Sequence, residues 1–129
     1  MGKVEFAEHF KYRTKRILLE PLELFKDIKP TYDVLIIRNQ LIRSASSVAA
    51  NHRAACRARS RAEFFSKMSI VVEEADETLF WIELLEESRI VSNERIEGIK
   101  REALEILQVT AKARKTAKFH GASNKGRRN

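Results

Sequence analysis

Apolar residues recur at three- and four-residue spacing in four successive stretches of the chain. This spacing keeps side chains on one face of an α-helix, so it predicts helices over about residues 6–28, 32–58, 61–89 and 93–118. The connections between them are short, which makes sequential helices antiparallel. The predicted fold is therefore all-α: an antiparallel up-down-up-down four-helix bundle over residues 1–118, with a basic flexible tail over 119–129.

The second and third helices carry unusual apolar faces. The core line of the second is Val34, Ile37, Leu41, Ala45, Val48, His52 and Ala55. Nearly every residue between Ser44 and Ala55 is small, so we expect the helices to approach most closely there. The third helix has additional apolar residues at Phe65, Phe80 and Trp81, which predicts that it buries two faces.

Capping residues mark three of the four predicted helix starts. Thr31 and Ser92 precede the second and fourth helices, and Ser60 with Glu63 forms a capping box before the third. Inside the first helix, Pro21 removes a backbone donor and crowds the preceding turn. We therefore expect a kink or break just before Pro21.

Charge is distributed unevenly along the chain. The 129 residues include 25 Lys and Arg against 18 Asp and Glu, for a formal net charge of +7. Residues 38–62 contain arginines and no acid, whereas residues 63–94 are strongly acidic. Such segregation is expected of basic surfaces that meet an acidic partner. An equally weighted alternative is that the two segments neutralise each other within the protein or across a self-interface.

Composition excludes several classes of protein. The single cysteine, Cys56, cannot form an intrachain disulfide or a multi-cysteine zinc site. No apolar run is long enough to cross a bilayer, and the first residues lack the apolar segment of a secretory signal peptide. The expected location is the cytoplasm, with no membrane partner.

A search for catalytic patterns predicts a protein that is not an enzyme. There is no Glu-x-x-His pair for a di-metal site, and no glycine-rich phosphate loop. His52 and Cys56 have the spacing of a metal half-site, but a packed histidine beside a small buried cysteine is the favoured interpretation. The acids at 73, 74, 76 and 77 indicate a solvated face or partners for arginines. No cofactor, metal or small-molecule substrate is predicted.

Two groups of basic residues form the candidate site. The end of the second helix and the end of the fourth lie at the same end of an antiparallel bundle, so the two groups should converge on one pole. The predicted nucleic-acid-binding residues are Arg53, Arg57, Arg59, Arg61, Lys112, Arg114, Lys115 and Lys118. Such cations neutralise phosphates without reading bases, which favours sequence-neutral RNA or DNA binding. The alternative is a homo-oligomeric interaction scaffold whose basic pole binds an acidic protein.

Several motifs resemble a known family. They are the serine-rich stretch at 44–47, Asn51, the Arg-x-Arg-Ser-x-x-x-Phe turn at 57–64, Glu-Ala-Asp-Glu at 74–77 with Trp81-x-x-Leu-Leu, and Thr-Ala-Lys at 116–118. Over about residues 9–118 the chain resembles the 23S rRNA intervening-sequence proteins of bacteria. Many relatives have Ile-Ala-Glu-Gly after the asparagine, whereas this chain has His-Arg-Ala-Ala at 52–55.

The resemblance implies a four-helix bundle and a specific assembly. Family members are similar to the accessory variability protein of diversity-generating retroelements, which forms a basic homopentameric barrel and works with nucleic acid. By resemblance we expect a homopentamer. Such an assembly would give Phe65, Phe80 and Trp81 a second face to bury against, and would let acids of the third helix meet arginines of a neighbouring subunit.

Overall fold

The computed structural model describes the backbone of residues 3–126 and the side chains of residues 8–118. This part of the chain forms four helices: α1 (Lys3–Phe25), α2 (Tyr32–Cys56), α3 (Arg61–Glu87) and α4 (Asn93–Gly126). The described residues contain no strand, so the all-α prediction is confirmed.

Capping side chains set two helix starts as predicted. The Val34 amide donates to the Thr31 hydroxyl at 3.4 Å, and the Glu63 amide donates to the Ser60 hydroxyl at 3.0 Å. Each serine or threonine satisfies a donor that the first turn of a helix otherwise leaves free. The carboxylate of Glu63 also forms an ion pair with Arg59, at 3.6 Å.

Helix ends differ from the predicted boundaries for local reasons. α1 ends at Phe25 because the next three amides bond carbonyls three residues back, which tightens the backbone into a turn over 26–28. α3 ends at Glu87, shortly before Arg89, whose φ of 59° is incompatible with a right-handed helix. α4 continues past the predicted end at 118 to Gly126, into the segment predicted to be a tail.

Pro21 does not break the first helix. α1 is continuous from Lys3 to Phe25, with the proline ring inside it and almost fully buried. Only one backbone donor is lost at a proline, and the buried ring still contributes apolar contact. Of the kink or break predicted near 17–21, the break is therefore wrong.

One apolar face of each helix forms the core. Ile17, Leu41, Ile82 and Ile106 come from the four helices in turn and are each at most 1% exposed. The whole core line predicted for α2, from Val34 to Ala55, is buried. Within the described side chains, each helix also buries one hydroxyl, and each hydroxyl oxygen lies within hydrogen-bond distance of a carbonyl of its own preceding turn: Thr14, Ser44, Thr78 and Thr110.

The helices are arranged in a ring of neighbours. Among the described residues, α2 packs beside α1 and α3, and α4 packs beside α3 and α1, whereas no Cα atoms of either diagonal pair come within 8 Å of each other. Side-chain pairs follow the order of an antiparallel arrangement, since Phe10 near the start of α1 contacts His52 near the end of α2. In the same way, Asp27 just after α1 pairs with Arg95 near the start of α4.

Candidate nucleic-acid interface

The first four predicted cations lie at the junction between α2 and α3. Arg53 is on the last turn of α2, Arg57 caps its C-terminus, Arg59 is in the loop, and Arg61 is the first residue of α3. All four are exposed, and Arg59 is 90% exposed at its side chain. We call these four residues the α2–α3 cation cluster.

The other four predicted cations lie on the last turns of α4 for which side chains are described. Lys112, Lys115 and Lys118 are exposed, whereas Arg114 is half-buried. We call Lys112, Arg114, Lys115 and Lys118 the α4 cation cluster. The remaining basic residues that the sequence suggested for this end, at 125, 127 and 128, lie outside the described side chains.

Ion pairs are sparse among these cations. Several cations elsewhere in the molecule are paired, as in Lys100–Glu86 at 2.9 Å and Arg95–Asp27 at 3.2 Å. Within the clusters, Arg59 forms an ion pair with Glu63 at 3.6 Å. Within residues 8–118, no carboxylate forms an ion pair with the following cluster members: Arg53, Arg57, Lys112, Arg114, Lys115 and Lys118.

Both clusters flank the start of α1, but on different sides. The Phe10–His52 contact places the end of α2 beside the start of α1. On the other side of α1, Arg13 pairs with Glu102 and Glu105 of α4, which precede the α4 cation cluster along that helix. α2 and α4 are themselves a diagonal pair without contact. With neighbouring axes at about 10 Å, diagonal axes lie roughly 14 Å apart. The cations therefore surround one end of the bundle and do not form one compact patch.

The residues at 52 and 56 on α2 show no sign of a metal centre. The His52 ring is 7% exposed and packs edge-on against Phe10, with ring centroids 4.9 Å apart. Burial, and secondarily the charge of Lys11, lowers the pKa of His52. The packed histidine is thus confirmed.

Cys56, however, is exposed, so the prediction that it is buried is wrong. Cys56 follows the buried Ala55 of the core line by one residue, so it lies about 100° further around the helix, beside the core and not within it. The Cys56 sulfur is 3.8 Å from the Nε2 atom of His52. Partial burial still raises the pKa of the thiol, with opposing effects from Lys11 and Glu8. Among the described residues, no group of three His, Cys, Asp or Glu side chains could hold a metal.

Two of the clustered acids on α3 are partners for an arginine of the same chain. Arg43 on α2 donates to Glu74 at 3.2 Å and also to Glu77. The hydrogen bond from Arg43 lowers the pKa of Glu77, and the Trp81 indole donates to the same carboxylate at 3.3 Å. The sequence suggested that acids here bind arginines, but the residue positions gave no means of selecting Arg43.

An open groove of about 800 Å³ lies between α1 and α4. Tyr12 and Leu19 line it and are 59% and 51% exposed, and Gly98 on α4 has no atom within 4 Å of where a Cβ would lie. None of the helices formed by residues 3–126 has an apolar stretch long enough to cross a membrane.

Comparisons with known proteins identify the family. Residues 14–112 match the family model described as 23S rRNA-intervening sequence protein. The chain is also similar to a protein of unknown function from the S23 ribosomal protein family of Bacteroides thetaiotaomicron, known from a crystal structure, with 29% sequence identity and a TM-score of 0.75. That match covers 84% of this chain and 97% of that chain. No curated protein matches the chain. Neither description names an enzymatic activity.

The family match includes both the Ser60-capped turn and the acid-rich stretch of α3 on which the resemblance was based. It extends to Lys112, the first residue of the α4 cation cluster. The fold and the matched residues agree, and the chain belongs to the 23S rRNA-intervening sequence protein family.

Proposed function

We propose that this protein is a non-catalytic, cytoplasmic module that binds RNA or DNA through phosphate contacts. The observation that carries the proposal is the grouping of eight cations, seven of them exposed, around one end of the bundle. Within residues 8–118, six of the eight form no ion pair with a carboxylate, so their charge is available to an anionic partner. The family description, which refers to 23S rRNA, supports a nucleic acid as that partner.

The geometry supports binding without sequence preference. The α2–α3 and α4 cation clusters surround an end of the bundle, where they can contact phosphates. Lysine and arginine contacts to phosphates release condensed counterions, and binding then weakens steeply as salt rises. Such contacts fix position on a nucleic acid and carry no direct sequence information.

We further propose that the working form is a homo-oligomer, with the homopentamer expected from the family resemblance. Several subunits would present several sets of cations to one nucleic acid, and linked sites raise overall affinity without any new contact. The mass of the purified protein in solution tests this separately from nucleic-acid binding.

The test compares two variants of equal charge. The cluster variant replaces Arg59, Arg61, Lys112 and Lys115 with alanine. The control variant replaces Lys26, Lys29, Arg89 and Arg101, four cations outside both clusters. Retention of structured RNA and duplex DNA is measured across a salt series.

For the wild type and the control variant, we expect binding that falls with salt. The cluster variant should bind at least tenfold more weakly, and for duplex DNA its log–log salt slope should be shallower by up to about 4, one unit per lost phosphate contact. Equal losses in both variants would contradict the assignment of the site. Absence of binding by the wild type at low salt would overturn nucleic-acid binding and favour a scaffold with an acidic protein partner.

A further inference from the structure

The outward face of α3 carries acids around one exposed aromatic ring. Glu73, Asp76, Phe80, Glu83 and Glu87 follow one another at three- and four-residue spacing, so they share one face of the helix. Phe80 is 55% exposed and packs edge-on against Trp81, with centroids 5.0 Å apart. Within residues 8–118, none of these four acids forms an ion pair. We call these five residues the acidic face.

The outward face of α2 has the same spacing and the opposite charge. It consists of Arg43, Ser46, Ala50, Arg53 and Arg57, with arginines toward both ends and two small residues in the middle. Ala50, Arg53 and Arg57 are exposed, and Ser46 is half-buried with its hydroxyl donating to the Ile42 carbonyl at 2.6 Å. We call these five residues the basic face.

The acids of the acidic face and the arginines of the basic face cannot pair with each other within one molecule. They point outward from neighbouring helices, so their side chains diverge. Arg43 is the exception, because it reaches across the seam to Glu74 and Glu77, which lie beside the acidic face. The remaining arginines of the basic face, Arg53 and Arg57, form no ion pair within residues 8–118.

We propose that the acidic face of one copy docks onto the basic face of a second copy. Each face spans about 21 Å, at a rise of 1.5 Å per residue. The two faces have the same residue spacing, so acids of one can lie opposite arginines of the other. Phe80 is at the centre of one face and Ala50 at the centre of the other, so the exposed ring lies over the small side chains. Acids on either side of the ring then oppose arginines. The contact rests on the proposed self-association, and gives it a specific surface.

The contact has two consequences for the assembly. It joins different surfaces on the two copies, so a pair of copies retains one free acidic face and one free basic face, and the chain of contacts closes into a ring or continues. It also takes Arg53 and Arg57 out of reach of nucleic acid. The cations that an assembled particle offers to phosphates are then Arg59, Arg61 and the α4 cation cluster.

Charge reversal tests the contact. One variant carries Asp76→Lys and Glu83→Lys on the acidic face, and the other carries Arg53→Glu and Arg57→Glu on the basic face. A control variant carries Glu23→Lys and Glu97→Lys, at acids whose side chains are 75% and 57% exposed on α1 and α4. Circular dichroism checks that each variant is folded, and light scattering gives its mass at low salt.

Each face variant should be a monomer alone, since the reversal cancels the net charge of the acidic face in one variant and makes both faces negative in the other. An equimolar mixture of the two face variants should form particles heavier than a monomer, because the unaltered acidic face of one variant meets the unaltered basic face of the other. The control variant should keep the wild-type mass. Wild-type mass for either face variant, or no recovery in the mixture, would overturn the contact.

Phe80→Ala provides a second, uncharged test. Its side chain is largely exposed, so the monomer should remain folded while self-association weakens at least tenfold. Unchanged self-association would overturn the contact. A monomeric wild type would also overturn it. Failure of RNA and DNA retention leaves all of these mass measurements interpretable, so the two proposals fail separately.

Discussion

The α2–α3 and α1–α4 seams of the bundle are built by opposite means. Between α2 and α3 two short side chains face each other, since the Thr78 hydroxyl reaches the Ser44 hydroxyl at 3.0 Å with both residues buried. Between α1 and α4 an open groove of about 800 Å³ remains, bridged by Arg13 with its pairs to Glu102 and Glu105.

The difference shows how side-chain size determines the way in which neighbouring helices are held. Small residues bring backbones close, so the α2–α3 seam depends on shape and tolerates little added volume. Along α1 and α4 a groove remains, and the charged end of the long Arg13 side chain supplies a connection across it. Added volume should therefore be harmful in the first seam and harmless in the second.

The largest effect is expected from Ser44→Leu in the tight seam. Ser44 is 0% exposed, so the added carbons have no free space and the Thr78 hydroxyl loses a neighbour. Overpacking and the lost hydrogen bond together should lower the free energy of unfolding by roughly 3 kcal/mol. Urea denaturation measures this. A change within experimental error would show that the seam is looser than its contacts indicate.

A smaller loss is expected from Arg13→Ala in the open seam. The guanidinium is 18% exposed, bonds Glu102 at 2.6 Å, and lies 5.7 Å from the centre of the Phe10 ring. Removing this partly buried connection should cost about 1–2 kcal/mol of unfolding free energy, between the values for surface and buried pairs.

The control for that prediction is Arg16→Ala, one turn further along α1. Arg16 pairs only with Glu20 of its own helix, on the exposed surface, so its removal should leave urea denaturation unchanged. Equal losses in Arg13→Ala and Arg16→Ala would mean that the bridge across the groove contributes nothing of its own.

The smallest effect, and the only gain, is expected from Gly98→Ala. A Cβ at this position meets no atom within 4 Å, so it fits without displacing a neighbour. Alanine in a helix interior is more favourable than glycine by about 1 kcal/mol, which should appear as a higher midpoint of unfolding. A lower midpoint would show that α1 and α4 come closer in solution than the open groove suggests.

Sequence reasoning reached the fold because the deciding signals are local. Caps at Thr31 and Ser60, and the apolar period of α2, depend on residues within a few positions of each other. The charged residues are also read directly from the sequence, so the cations of the candidate site could be named before the structure was known. The family resemblance pointed to the same fold, and the comparisons confirmed the family.

Features set by packing between distant segments could not be read in this way. Arg43 bonds acids more than 30 positions away, and nothing in their spacing along the chain distinguishes it from other arginines. Cys56 is one residue past the buried Ala55, and its exposure depends on which helices flank that side of α2. The separation of the two cation clusters also required knowledge of which helices are diagonal.

The Ser44–Thr78 contact has a further consequence for association between copies. It is the one bond between helices among the buried hydroxyls of the described residues, and sliding α2 along α3 by a turn would break it. The acidic and basic faces are the outer surfaces of these same two helices. A partner meeting either face therefore meets backbone that is already fixed, and little conformational entropy remains to be lost when the contact forms.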